Sequence, residues 1–373
     1  MAMKNRLELL LDLAYLYYEK GETMTSISEK RANLSTAHVA RLLKEAKEEG
    51  IVTINFTPPP MAELGWKLVS KFGGSLRKAI VVPSIGDPSA KLTVEKDVLR
   101  EIDDEFDLNR QILARAAAEH FESLVESKEG KKAKTKRTLK VCLSCGYTLY
   151  QMILSLRTRS RDIEIYPAAL MGRGPVINHL SAQVLVALLW AKCDDKATAY
   201  MGSLPPLDRD LSALQAQEQY RNWLEGNGRL REVIEEVMSR TKQADVVFTS
   251  IGALRGPASP YKPRTHLTTM NLLSEFGLTQ AKLKKSEIEI AGSICYSFFD
   301  KDGKIPEGSR YFLSIEVDQL RTMVKDPSKD VVVIAGRYKE EALRIVLEQE
   351  WCSTLITDTY TARWLLNEKE NED

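Results

Sequence analysis

Apolar positions recur every three or four residues through the first sixty residues and then give way to short apolar runs. That change divides the chain into a helical head and an alternating α/β body. Between Thr36 and Glu49, Val39, Leu42, Leu43 and Ala46 fall on one stripe. They predict a helix capped by Ser35 and ended by Gly50 in the left-handed region. Its outer face carries Ala37, Ala40, Arg41 and Lys44, with His38 at the margin. A preceding helix starts near Thr25, buries Ile27 and Ala32, and stops at Asn33, which tolerates the backbone of a tight turn. An opening helix from Asn5 to about Tyr18 places Leu7, Leu10, Leu11, Ala14 and Tyr17 on its stripe, with Gly21 as the stop. With a small strand after Gly50, residues 23–57 read as a helix-turn-helix with a wing, a motif whose second helix enters the DNA major groove.

Pro58, Pro59 and Pro60 break regular pairing and mark the boundary, so residues 1–57 form the head, 58–75 a linker with a helix, and 76–373 the body. The linker helix runs from Met61 to Phe72, is ended by Gly73 and Gly74, and is expected to act as a spacer or a dimer contact. Beyond it, Val/Ile-rich runs alternate with helical stretches at 79–83, 139–143, 163–166, 197–200, 246–250, 331–335 and 354–357. Runs that are apolar on both faces and separated by helices predict a mostly parallel sheet with right-handed crossovers.

Composition adds limits. The chain has 373 residues, 43% hydrophobic and 28% charged, with a net charge of +1, which is the profile of a globular protein without a general affinity for nucleic acid. Residues 1–57 hold eight Lys or Arg and eight Asp or Glu, so attraction to phosphate must come from where the cations sit. No apolar run reaches the ~18 residues that span a bilayer, and residues 1–20 lack a signal-peptide core, so the expected compartment is the cytoplasm. Cys142 and Cys145 form a C-x-x-C, but no second pair completes a tetrahedral metal site. Cys142 lies in an apolar run and is read as a small hydrophobe. The stretch 128–137, with six Lys or Arg and one Glu, is read as a solvated loop in preference to a phosphate contact.

Ligands of open parallel sheets bind outside the carboxyl ends of strands, and unusual chemistry gathers there. The run 139–143 leads into Ser144-Cys145-Gly146-Tyr147-Thr148, a glycine-containing turn with hydroxyls at a helix start, which suits phosphate. The run 331–335 leads into Gly336-Arg337-Tyr338-Lys339, where a lysine at a helix N-terminus opposes the dipole unless an anion shares the site. Asp358 ends the last run and either accepts bonds from sugar hydroxyls or caps its helix. Gly172 and Arg173 lie in a glycine-rich loop before a helix at 178–190, with Arg173 able to fork onto phosphate oxygens. The segment Phe299–Gly303 begins like a calcium loop, but Tyr311 stands where the bidentate Glu belongs, so it is read as a turn.

Taken together, VARLLKEAKEEGIVTI, SCGYTL, ADVVFTSIGAL, AGSICYSFFDKDG, VIAGRYKEEAL and LITDTYTARWLL, in that order, resemble the SorC family of bacterial sugar-responsive transcriptional regulators over nearly the whole chain. The resemblance implies a head that binds double-stranded operator DNA. It also implies a Rossmann-like, doubly wound body similar in fold to glucosamine-6-phosphate deaminase and ribose-5-phosphate isomerase, which binds a phosphorylated sugar. A homodimer or homotetramer is implied, with no cofactor and no metal. The candidate DNA contacts are Ser35, Thr36, Ala37, His38, Arg41 and Lys44; the candidate effector contacts are Ser144, Gly146, Tyr147, Thr148, Gly172, Arg173, Gly336, Lys339 and Asp358. Arg337 replaces a usual glycine, Asn33 the turn glycine and Ala40 a common serine, and 128–137 is an insertion. The rival reading is a sugar-phosphate isomerase or deaminase carrying an added head. It needs a positioned acid or base, and of the four histidines His38 is in the head, His120 on a helix, and His179 and His266 lack an orienting carboxylate nearby in sequence. Asp358 is the base left to it.

Overall fold

The computed structural model describes residues 2–31, 34–52, 59–85, 96–129, 138–170, 180–202, 213–253, 290–306 and 313–367. The chain separates into two compact units, Met1–Phe56 and Thr57–Asp373.

In the first unit, α1 (Ala2–Ala14) runs into a π-helical turn (Tyr15–Glu19), followed by α2 (Met24–Lys30) and α3 (Thr36–Glu48). Ser35 caps α3, its Oγ accepting from the His38 N–H at 3.2 Å, and Gly50 takes φ +72° after its end. Val39, Leu42, Leu43 and Ala46 are buried, as their spacing requires. The second helix begins one residue earlier than the sequence suggests, because Thr23 caps it by accepting from the Ser26 N–H, and it ends at Lys30. Ala32, Asn33 and the strand expected after Gly50 lie outside the described residues. The stripe expected on the opening helix is divided. Leu10 and Ala14 are buried together with Leu13, whereas Leu7 and Leu11 stay half exposed, because the inward face is centred a step further round the helix.

The second unit opens with α4 (Ala62–Lys71) and β1 (Lys78–Val82), then α5 (Lys96–Glu129), β2 (Leu139–Leu143), α6 (Tyr147–Ser155), β3 (Ile163–Pro167), α7 (Ala182–Ala191) and β4 (Thr198–Ala199). It continues through α8 (Ala213–Gly226), α9 (Gly228–Lys242), β5 (Val246–Ala253), β6 (Ile290–Ile294), β7 (Ser297–Asp300), α10 (Val317–Lys325), β8 (Asp330–Ile334), α11 (Glu340–Glu348), β9 (Thr354–Asp358) and α12 (Thr359–Leu366). The main sheet has the order β1-β9-β8-β5-β2-β3-β4, and every pairing in it is parallel. Alternate residues of each strand serve opposite cores: Val331 and Val333 face one, Val332 and Ile334 the other. One core is closed by α4, α10, α11 and α12, the other by α5, α6 and α7, which gives a three-layer doubly wound body.

The helix expected as a spacer is part of this body. Leu64 and Leu68 of α4 enter its core, and Gly65 lies so close to the edge of β1 that a Cβ would stand 2.6 Å from the Ala79 carbonyl oxygen. A feature absent from the strand pattern is the antiparallel hairpin β6–β7, which extends the end of β5. Its two-residue turn is Cys295-Tyr296, both left-handed (φ +45° and +66°), where Asn-Gly is the usual signal.

Candidate functional site

The chain runs outward from β2 to β3 and β4, returns to β5 beside β2, and then runs the other way to β8 and β9. The reversal lies between β2 and β5, and a crevice opens at the carboxyl ends of strands at such a point. The turn after β2 occupies it. Ser144 N–H donates to the Phe248 carbonyl on β5 (3.0 Å) and Gly146 N–H to the Leu180 carbonyl (3.1 Å), so the turn is held from both sides. Gly146 is the residue before α6 and takes φ +126°; a Cβ there would lie 2.9 Å from Ser250 Oγ. A bare backbone is therefore required where it approaches β5. Tyr147 and Thr148 begin α6, whose first-turn N–H groups have no intrahelical acceptor and point outward along a favourable dipole.

The second turn, Gly336–Lys339, enters α11. Asp358 fixes it: Oδ2 accepts from the Arg337 N–H at 2.9 Å and Oδ1 from the Thr361 N–H at 2.7 Å, the N-terminal cap of α12. The cap, one of the two readings left open for this carboxylate, is formed in the fold. Asp358 is 2% exposed, and burial pushes its carboxyl above the usual carboxylate range. Gly336 makes that latch possible, since a Cβ would fall 2.4 Å from Asp358 Oδ2 and 2.6 Å from Leu113.

Lys339 is buried at the start of α11. Burial, and after it the charge of Arg110, push its ammonium down to about 7, with the Cys145 thiol acting weakly the other way. These influences tie the two turns together: Cys145 belongs to the first, Lys339 to the second. Arg110, from α5, is buried beside them with its guanidinium 5.2 Å from the centre of the Tyr147 ring. The fold therefore gathers Ser144, Gly146, Tyr147, Thr148 and Lys339 at one crevice, with Gly336 and Asp358 as its framework. Gly172 and Arg173 lie outside the described residues. Arg110 and Ser250 are additions that the sequence did not signal, because a lone arginine on a long charged helix reads as a solvated group.

The thiols nearby behave as packing groups. Burial pushes Cys142 well above its ordinary value and Cys295 up to about 12, the latter against hydrogen bonds with Thr249 and Ser144 that act the other way. In the hairpin segment, Asp300 Oδ1 accepts from the Asp302 and Lys304 N–H groups at 2.9 Å each, the turn expected there. On the head, Ser35, Thr36, Ala37, Arg41 and Lys44 are exposed and His38 half-buried, with Arg41 Nη2 3.1 Å from His38 Nε2.

A family model for sugar-binding domains, Sugar-bind, matches residues 60–367. The chain belongs to this family. The Sugar-bind match spans the body with both turns of the crevice. Over 98% of its length the chain is 25% identical to the deoxyribonucleoside regulator of Bacillus subtilis (strain 168), covering 99% of that protein. Its fold is shared with the full-length sorbitol operon regulator SorC of Klebsiella pneumoniae, at 21% identity and a TM-score of 0.57, with 96% of this chain and 98% of that one covered. A DeoR family transcriptional regulator from Listeria monocytogenes, at 16% identity, has a TM-score of 0.56 over 82% of this chain and 98% of its own. The resemblance drawn from the motifs is thus borne out. No described helix is long and apolar enough to cross a membrane.

Proposed function

We propose that this protein is a DNA-binding transcriptional regulator whose operator affinity is set by a phosphorylated sugar bound between the 144–148 and 336–339 turns. The observation that carries the reading is the presence of two buried cations, Lys339 and Arg110, beside the turns that lead into α6 and α11. A phosphate suits such a place, since it can accept from the N–H groups of both helix starts and meet both charges. Tyr147 and Thr148 offer further hydroxyls. Catalysis finds less support. Asp358 already accepts two main-chain hydrogen bonds, and His120 sits beside Asp330 and Lys78, the first residues of β8 and β1, at the opposite ends of the strands. The head's part is contact with DNA through the outer face of α3, and two or four chains act together.

The test is thermal shift of the full chain against phosphorylated pentoses and hexoses, their unphosphorylated forms, sorbitol and deoxyribonucleosides. A ligand at a hundred times its Kd stabilises the folded state by ~2.7 kcal/mol. Stabilisation confined to one or two phosphorylated compounds, which also shift DNA affinity by the ~5–150-fold usual for allosteric coupling, is the expected result. A response to unphosphorylated compounds alone would rule out the anion site.

A further inference from the structure

The side chain of Arg337, on the turn between β8 and α11, takes no part in holding that turn. The main chain does this: the Arg337 N–H donates to Asp358, and the Tyr338 N–H to Glu340 Oε1 at 2.8 Å. The charge of Arg337 acts on both carboxyls, yet among the described residues neither accepts from its guanidinium. That group lies over two aromatic rings, 5.3 Å from the centre of Tyr338 and 5.0 Å from that of Tyr360, and its buried Nε has no hydrogen-bond partner among the described residues. Both tyrosines are held in place. Tyr338 stands in the left-handed region at φ +74°, a conformation that persists in such a residue only where its surroundings impose it. Tyr360, at the start of α12, donates its N–H to Ser84 Oγ at 3.2 Å, and the Thr359 hydroxyl meets the same oxygen at 3.0 Å. A guanidinium held against aromatic faces keeps its N–H edge for an acceptor, and its planar fork matches a carboxylate or a phosphate.

We infer that Arg337 determines specificity at the effector crevice, by binding a second anionic group that the phosphorylated sugar carries apart from its phosphate. This rests on the reading of the crevice as a sugar-phosphate site. The sheet order sets the two positions apart, since β8 has β5, and beyond it β2, on one side and β9 on the other. Lys339 acts with Arg110 and Cys145 on the side of α6, where the 144–148 turn suits phosphate, whereas Arg337 leans to Tyr360 at the end of β9. The cations of one turn therefore diverge. A ligand that meets both has its anionic groups at separate positions, as a bisphosphate or a phosphorylated sugar acid does. A sugar hydroxyl is the weaker partner for this fork, because a carboxylate or phosphate accepts two parallel bonds from it, each roughly twice as strong as a bond between neutral groups.

The test is calorimetric titration of the full chain with matched pairs: glucose 6-phosphate against 6-phosphogluconate, fructose 6-phosphate against fructose 1,6-bisphosphate, and ribulose 5-phosphate against ribulose 1,5-bisphosphate. In at least one pair the wild type is expected to bind the member with the second anionic group about tenfold more tightly or better. Arg337→Gln, with an unchanged melting temperature, should abolish that preference while leaving the affinity for the other member as it is in the wild type. Arg337→Lys keeps the charge and loses the fork, and should retain part of the preference. If Arg337→Gln melts lower than the wild type, Arg337→Lys decides by the same comparison within each pair. Equal weakening of both members by Arg337→Gln overturns the inference and would mean that the side chain only shapes the turn; no effect on either member overturns it as well. A wild type that binds single phosphates without any preference for a second anion overturns this inference alone and leaves the sugar-phosphate reading standing. A wild type that binds no member of any pair brings down that reading, and this inference with it.

Discussion

The two ends of the parallel sheet treat buried charge in opposite ways. At the amino ends, Asp330 accepts from the Ser353 hydroxyl and, at 3.0 Å, from the Thr354 hydroxyl, with His120 Nε2 3.7 Å away and Lys78 Nζ 3.3 Å from His120 Nδ1. Burial opposes ionisation there, yet His120, Ser353 and Thr354 hold the Asp330 carboxyl below the usual carboxylate range. At the carboxyl ends the balance is reversed: Lys339 is pushed down to about 7, and burial raises both Asp358 and Glu340. One end favours the charged form of its carboxylate; the other disfavours the charged forms of its lysine and carboxyl groups. Stability and binding are thus carried by different ends of the same strands, and groups with displaced ionisation gather where a ligand is wanted.

The largest expected effect tests the amino end. Asp330→Ala removes the acceptor of the Thr354 hydroxyl, one of the two acceptors of the Ser353 hydroxyl and the charge facing His120, and should reduce stability by ~2–4 kcal/mol in urea unfolding. A loss under about 0.5 kcal/mol, the range of an ordinary surface substitution, would break the comparison. Next, Lys339→Met should weaken effector binding by roughly 100-fold, as loss of a buried charge-assisted contact does, while raising the melting temperature of the ligand-free protein by roughly 2–5 °C. Weakened binding without the gain in stability would show that the lysine is already compensated.

The pH dependence separates the ends further. Lys339 binds its proton less tightly in the folded chain, near 7, than a free lysine does, near ~10.4, so its contribution to stability rises with pH between those values. Asp330 has a lowered folded value, so its contribution is present above the free carboxyl value of ~3.9 and is lost as pH falls below it. An anion needs the charged lysine, and a phosphate monoester is already mostly dianionic above about pH 7. Effector affinity should therefore fall by up to about tenfold per pH unit above 7, measured by calorimetric titration. A flat profile would mean that Lys339 does not meet the ligand. The smallest effect refines the site: Arg110→Gln removes the neighbouring cation and should move the midpoint of that profile upward by a fraction of a pH unit.

The parallel strands were legible because each is apolar on both faces, a pattern that survives in sequence. The hairpin at 290–300 was not. Its strands are buried up to Asp300, and its turn uses Cys295 and Tyr296 in a conformation that neither residue favours, so neither alternation nor turn chemistry announced it. Tyr296 is held there by tertiary contact, its hydroxyl accepting from the Ala182 N–H at the start of α7 (3.0 Å). At the site, the turns around Gly146 and Lys339 could be found from strand-end chemistry, whereas Arg110 could not. It is buried together with Asn109, Ile112, Leu113 and Ala114 on α5, a property of packing. The bond from the Arg337 N–H to Asp358, which ties the 336–339 turn to α12, joins residues that no spacing links. Leu7 and Leu11 fit a core stripe as well as Leu10 does, and only the placement of Leu13 shows which face is inward.

The pairing of β1 has a consequence for how the chain is made. Its only strand partner among the described residues is β9, with Lys78 opposite Thr354, so the first strand of the body waits 276 residues (354 − 78) for its neighbour. At the ~5–20 residues per second of ribosomal synthesis, that delay is roughly 15–55 s. The head closes on contacts within Met1–Phe56 and can fold as soon as it emerges, while the sheet stays open along β1 until β9 has been added. A growing polypeptide of this kind displays its finished amino-terminal unit well before the rest exists, and a chain truncated before β9 would expose that unit on an unclosed body.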